Sequence, residues 1–169
     1  MYVGSRAIYD ASGEAKRVDG VRSYAMDAHD RDSRRRAKAA LQRQPVRLTG
    51  QQARAAALGI IEAANDANFV PHALCIMPDH VHLVMLNPGT DAKLIIKRLK
   101  AGATRRMNAL ATQVSREAWW VRGGWFVPLH SSDAISRAVQ YVERNPLEIG
   151  LKRQRWSGIV PYDPNQFGA

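Results

Sequence analysis

From residue 48 onward the hydrophobic positions change period several times, and each change marks an element. Ala55, Leu58, Ile61 and Ala64 recur at helical spacing, which predicts a helix from Gln51 to about Asn65 with Thr49 as its cap. Phe69 to Met77 and His80 to Asn87 read as two strands joined by the turn pair Pro78-Asp79, a hairpin. Asp91 opens a helix to about Leu110. Its apolar stripe is Ile95, Leu99, Ala103, Met107 and Leu110, with Lys93, Lys97, Lys100 and Thr104 on another face. Trp125 to Leu129 predicts a strand, placed at a sheet edge by Pro128. Ser131 or Ser132 caps a last helix that is expected to stop at Asn145, because the residue before a proline disfavours helical geometry.

Toward the start, Tyr2 to Tyr9 suits a short first strand closed by the Ser12-Gly13 turn, and residues 14–50 are mostly polar and basic, with at most a helix near 31–43. The order is β, α, β-hairpin, α, β, α without internal repeats. That order predicts an α+β fold with a ferredoxin-like antiparallel sheet covered by helices, preceded by a basic irregular N-terminal region.

Composition narrows the function classes. The chain has 169 residues, 25 Lys+Arg against 15 Asp+Glu, a formal net charge of +10 and a pI near 10.4. The charge is clustered: Arg31, Arg34, Arg35, Arg36, Lys38, Arg43, Arg47 and Arg54 against Asp32 alone, then Lys93, Lys97, Arg98, Lys100, Arg105 and Arg106 with no acid among them. Lys152, Arg153 and Arg155 form a third group. Like charges at this density point to a phosphate backbone as partner, the plainer reading being a solvated basic surface. The longest apolar run, Ala73 to Met77, is far short of a membrane span, and the N-terminus lacks the apolar stretch of an export signal. The single cysteine, Cys75, rules out an internal disulfide and a cysteine-based zinc finger and suits a buried thiol. A cytoplasmic, nucleoid-associated protein is the expectation.

Candidate chemistry concentrates in two segments. In Met77-Pro-Asp-His-Val-His-Leu-Val-Met85, a strand would point His80 and His82 to one face and Val81 and Leu83 to the other. Two imidazoles so placed can share a divalent ion, or can be two hydrogen-bonded structural histidines; a metal site needs a further ligand. In Ile135-Ser-Arg-Ala-Val-Gln-Tyr-Val-Glu-Arg-Asn-Pro146, the buried stripe is Ile135, Val139 and Val142. Tyr141 and Asn145 share a different face, with Arg137 one turn earlier. A tyrosine is a nucleophile only with help, since its pKa near 10 keeps it protonated at neutral pH. The plainer reading is a packed ring beside an asparagine that caps the helix. Asp79 reads as a turn former.

Taken as a pair, the segments Met77-Pro78-Asp79-His80-Val81-His82-Leu83 and Tyr141-Val-Glu-Arg-Asn145-Pro146-Leu-Glu-Ile-Gly150-Leu151, with a basic helix between them, resemble the single-tyrosine HUH transposases, that is, the IS200-like and REP-associated tyrosine transposases. The resemblance spans roughly residues 48–160, leaving 1–47 as a short strand and basic region and 161–169 as a tail. It implies metal-dependent cleavage and strand transfer of single-stranded DNA through a 5′-phosphotyrosine, by a transposase or a domesticated repeat-processing relative. On that pattern His80, His82 and Asn145 hold Mg²⁺ or Mn²⁺ and Tyr141 is the nucleophile. The DNA partner is expected to carry hairpin repeats, with a homodimer possible. Lys97, Lys100 and Arg137 are expected phosphate contacts from helix face and charge.

Two other functions compete. A non-catalytic nucleic-acid-binding module on a ferredoxin-like sheet would need neither metal nor Tyr141. A histidine-triad nucleotide hydrolase would need a histidine where Val84 stands. Trp119, Trp120, Trp125 and Trp156 can stack on bases or pack internally, and Trp156 is placed to anchor the tail.

Overall fold

The computed structural model describes residues 2–4, 46–86, 89–110, 118–121 and 123–167. The elements are β1 (Tyr2–Gly4), α1 (Gly50–Asp66), β2 (Val70–Ile76), β3 (Val81–Leu86), α2 (Ala92–Asn108), β4 (Trp125–Val127) and α3 (Ser132–Glu148), then a 3₁₀ turn at Pro164–Phe167. The expected Ser12-Gly13 turn, the helix near 31–43 and the basic residues Arg31 to Arg43 lie outside the described residues.

The protein is α+β. Its strands form an antiparallel sheet in the order β2-β3-β1-β4, with β4 at one edge as Pro128 implied. Alternation along β2 and β3 gives the sheet two buried faces. On one, Leu74, Ile76, Leu83 and Met85 join α1 and the Ile95, Leu99, Ala103 and Met107 stripe of α2 in the larger core. On the other, Ala73, Cys75, Met77 and Val84 pack with Val142 of α3, and Ile135, Val139 and Tyr141 lie against them. A strand buried on both faces reads as continuously apolar, which is the Ala73 to Met77 run.

The helix starts follow the caps. Thr49 and Gln52 form a reciprocal capping box at α1: Gln52 N–H donates to Thr49 Oγ1 at 3.3 Å and Thr49 N–H to Gln52 Oε1 at 2.9 Å. Asp91 Oδ1 accepts from Lys93 N–H at α2, and Ser131 Oγ from Ala134 N–H at α3. The α1 apolar face differs from the expected stripe: Ala55, Ile61 and Ala64 are buried but Leu58 is only half-buried, and Ala56, Ala57, Ile60 and Ala63 are buried as well, because α1 touches both the sheet and α2.

Several boundaries differ from expectation: β2 is one residue shorter at each end and β4 stops at Val127 rather than Leu129. Helix α3 does not stop at Asn145 but runs through Pro146 to Glu148. Proline there removes one intrahelical hydrogen bond near the end of the helix, where few remain to be lost. The chain then closes with Leu151 N–H on Pro146 O, Gly150 N–H on Leu147 O, and Gly150 at φ 76°, a glycine-terminated helix end. Strand β3 likewise begins at Val81 and not His80.

Beyond α3, residues 151–162 strap the outer edge of β2. Gln154 copies a neighbouring strand: its Oε1 accepts from Ile76 N–H at 2.8 Å and its Nε2 donates to Ile76 O at 2.7 Å. Val160 N–H donates to Pro71 O at 2.9 Å, and His72 Nδ1 lies 3.0 Å from Val160 O. Tyr162 then returns to α3, its hydroxyl 3.2 Å from Ser132 Oγ. Trp156 packs on the larger core, anchoring this strap as its position suggested. Trp119 is buried and donates to Asn108 Oδ1 at 2.7 Å, and Trp120 donates to Thr104 Oγ1 at 3.0 Å, so both serve packing beside α2. No helix among the described residues is long and apolar enough to cross a membrane.

Candidate functional site

The hairpin tip that carries the histidines is tied down on three sides. Met77 N–H donates to His80 O at 2.8 Å, which closes a two-residue turn over Pro78 and Asp79. Leu48 N–H, in the lead into α1, donates to Pro78 O at 2.7 Å. Gln154 holds Ile76 from the outer edge. A turn fixed in this way holds its side chains to one geometry, as a reactive site needs.

His80 lies just before β3 and His82 within it, and the two rings still meet edge-to-face with centroids 4.6 Å apart. His82 is 1% exposed and faces the α3 side, its Cα in register with Cys75. Tyr141 reaches across from α3, its ring 5.4 Å from that of His82 in another edge-to-face contact. His80, His82 and Tyr141 therefore form one continuous stack between β3 and α3 within a single chain. Asn145, one turn beyond Tyr141, is 1% exposed, and its Nδ2 donates to Tyr141 O at 2.9 Å.

The orphaned ring nitrogen of His80 is the observation here that suits a divalent cation. His80 Nδ1 is 2.6 Å from Asp79 Oδ1, while its Nε2 is buried with no hydrogen-bond partner among the described residues, a nitrogen lone pair or N–H without its usual complement. With Asn145 Nδ2 committed to the helix, the amide oxygen is the atom left for a ligand, and an amide oxygen suits a hard ion. No group of three His, Cys, Asp or Glu capable of holding a metal occurs among the described residues, so a metal here would rest on two imidazoles and an amide oxygen. Burial pushes the Cys75 thiol up to about 12, so it packs opposite His82 as a neutral thiol rather than a ligand.

The expected phosphate contacts divide. Arg137 is exposed on α3, one turn before Tyr141. Lys97 and Lys100 lie on α2, which covers the opposite face of the sheet from the His–Tyr stack, because the α2 apolar stripe belongs to the core shared with α1. Lys97 is exposed there. Lys100 is half-buried and donates to Val121 O at 2.9 Å and to Gly123 O, bracing the segment that enters β4; burial lowers its ammonium below the usual lysine range. Asp79, read from sequence as a turn former, is in addition bonded to a histidine. Its adjacency to His80 was the available signal. His72 bonds the strap and His130 is exposed, neither joining the stack.

No curated protein and no solved structure matches the chain. The model of the family described as "Transposase IS200 like" matches residues 40–145, more than half of the chain, an interval that takes in His80, His82, Tyr141 and Asn145.

Proposed function

The chain belongs to the IS200-like transposase family, a family of transposition-related DNA processing, and on that premise we propose that it cleaves and rejoins single-stranded DNA with Tyr141 as nucleophile. The observation that carries the reading is the stack of Tyr141 on His82 and His82 on His80. The β-α-β-β-α-β order and the strand order β2-β3-β1-β4 support assigning the core a ferredoxin-like fold.

His80, His82 and the Asn145 amide oxygen would hold Mg²⁺ or Mn²⁺. A divalent ion bound there supplies Lewis-acid polarisation of the scissile phosphate. Tyr141 Oη forms a bond to phosphorus as the bond from phosphorus to the 3′ oxygen breaks. The phenolic proton is lost to solvent, and the 3′ oxygen takes up a proton from solvent to become a free 3′-OH. The protein keeps the 5′ phosphate as a phosphotyrosine ester, so rejoining to another 3′-OH needs no external energy source. Packing against His82 and the smaller core holds the Tyr141 ring in place before the substrate arrives. Arg137, exposed one turn earlier on the same helix, would meet the DNA backbone. Lys97, on the other face, would meet only DNA that continues past the site, while Lys100 is committed to the Val121 and Gly123 carbonyls.

The test is incubation with single-stranded DNA carrying hairpin repeats from the flanks of the gene, in Mn²⁺ or EDTA, followed by a denaturing gel. A covalent protein–DNA band that needs the ion and vanishes in Tyr141→Phe is the expected result. Tight binding without a band, unchanged in Tyr141→Phe, would assign the chain to non-catalytic nucleic-acid binding.

A further inference from the structure

We propose that Asp79 is a positioning residue that sets the tautomer and orientation of His80, leaving Nε2 as the ligating nitrogen. The inference rests on the metal-site reading above. It starts from a restriction of chemistry: an ionised carboxylate only accepts hydrogen bonds. At 2.6 Å from Asp79 Oδ1, His80 Nδ1 therefore carries the proton, and in the neutral ring Nε2 is the bare nitrogen. That is the atom buried without a hydrogen-bond partner. A neutral imidazole in water favours the opposite tautomer, with the proton on Nε2, which cannot bind a cation through that atom.

The backbone delivers Asp79 to this task. Pro78 sets φ at the first turn position, the Met77–His80 hydrogen bond closes the turn, and Leu48 N–H holds the Pro78 carbonyl. These bonds keep the Asp79 backbone beside His80. Its side chain is 41% exposed against 13% for His80, so water screens the carboxylate charge and the geometry of the hydrogen bond carries the effect. Carboxylates placed behind ligating histidines act in this way, and losing one typically weakens metal binding by about 10–100-fold.

The experiment has two readouts on the full chain. Two-bond proton–nitrogen correlation of ¹⁵N-histidine-labelled protein at pH 8, without metal, reports which ring nitrogen of His80 is protonated. Mn²⁺ titration followed by the signal of the free ion reports affinity. The wild type is expected to show His80 protonated at Nδ1. Asp79→Ala should shift the proton toward Nε2 and weaken Mn²⁺ binding by about 10–100-fold. Asp79→Asn, which keeps an acceptor oxygen and a turn-forming side chain, should recover most of both. A wild-type His80 protonated at Nε2, or an Asp79→Ala protein with unchanged tautomer and affinity, overturns the proposal. A wild type with the expected tautomer, switched by Asp79→Ala, that binds no Mn²⁺ would overturn the metal site and leave the positioning role standing.

Discussion

Replacing Gln154 with alanine strips Ile76 of both partners on the outer edge of β2, the 2.8 Å acceptor of its N–H and the 2.7 Å donor to its carbonyl. Ile76 is 1% exposed, so its peptide groups do not simply exchange protein for bulk water. Two net hydrogen bonds are worth about 1–3 kcal/mol together, and leaving buried groups unpaired raises the loss. Gln154 itself is half-buried, which lets water repair part of the damage. We expect a destabilisation of about 2–4 kcal/mol, or roughly 4–16 °C in Tm for a chain of this size. Thermal and urea unfolding of the full chain measure it, and hydrogen exchange of the Ile76 amide should accelerate. Gln154→Glu sharpens the test. Its carboxylate still accepts from Ile76 N–H but opposes the Ile76 carbonyl, to which only the protonated acid can donate. The folded-state pKa of the new glutamate is thus raised above its unfolded value of about 4.3. Stability is then present below that value and lost as pH rises through the folded pKa, so Gln154→Glu should unfold near the wild type at pH 4 and well below it at pH 7. An alanine variant within about 0.5 kcal/mol of the wild type would refute the docking of the strap on β2.

Two other perturbations probe the interior. A Cβ on Gly102 would stand 2.7 Å from Ala63 Cβ and collide with the Gly59 carbonyl, so Gly102→Ala should cost about 1–3 kcal/mol by urea unfolding. Gly50→Ala, with nothing within 4 Å of the added carbon, should be neutral or slightly stabilising; a stabilised Gly102→Ala would show that α1 and α2 do not cross there. Cys75, its thiol raised to about 12 by burial, should resist iodoacetamide in native protein at pH 8 and react on addition of urea, with mass spectrometry as readout. Rapid native labelling would contradict its burial against α3.

Much of this molecule was legible along the chain because local rules carry over into the fold. Thr49 caps α1 as expected, Ser131 rather than Ser132 caps α3, and Asp91, expected to open α2, is its cap, since a cap needs only its own first turn. The α2 stripe of Ile95, Leu99, Ala103 and Met107 is buried as its spacing implied. His82 and Tyr141 were each visible as residue types in a pattern, and their pairing pointed to the family that the match over residues 40–145 bears out.

What periodicity cannot express is which surfaces meet. A stripe says that a face is buried, not against what, so the placement of Lys97 and Lys100 across the sheet from Tyr141 had to come from the packing of α2 on α1. Gly59 and Gly102 look costly inside helices until the close crossing of α1 and α2 shows that only hydrogen fits between the backbones. The proline rule for Asn145 failed because a helix near its end has little hydrogen bonding left to lose. Asp79 and Gln154 are ordinary polar residues in sequence. Their roles arise from a turn and a strap that bring them to His80 and Ile76, contacts decided by how the chain returns on itself rather than by any local preference.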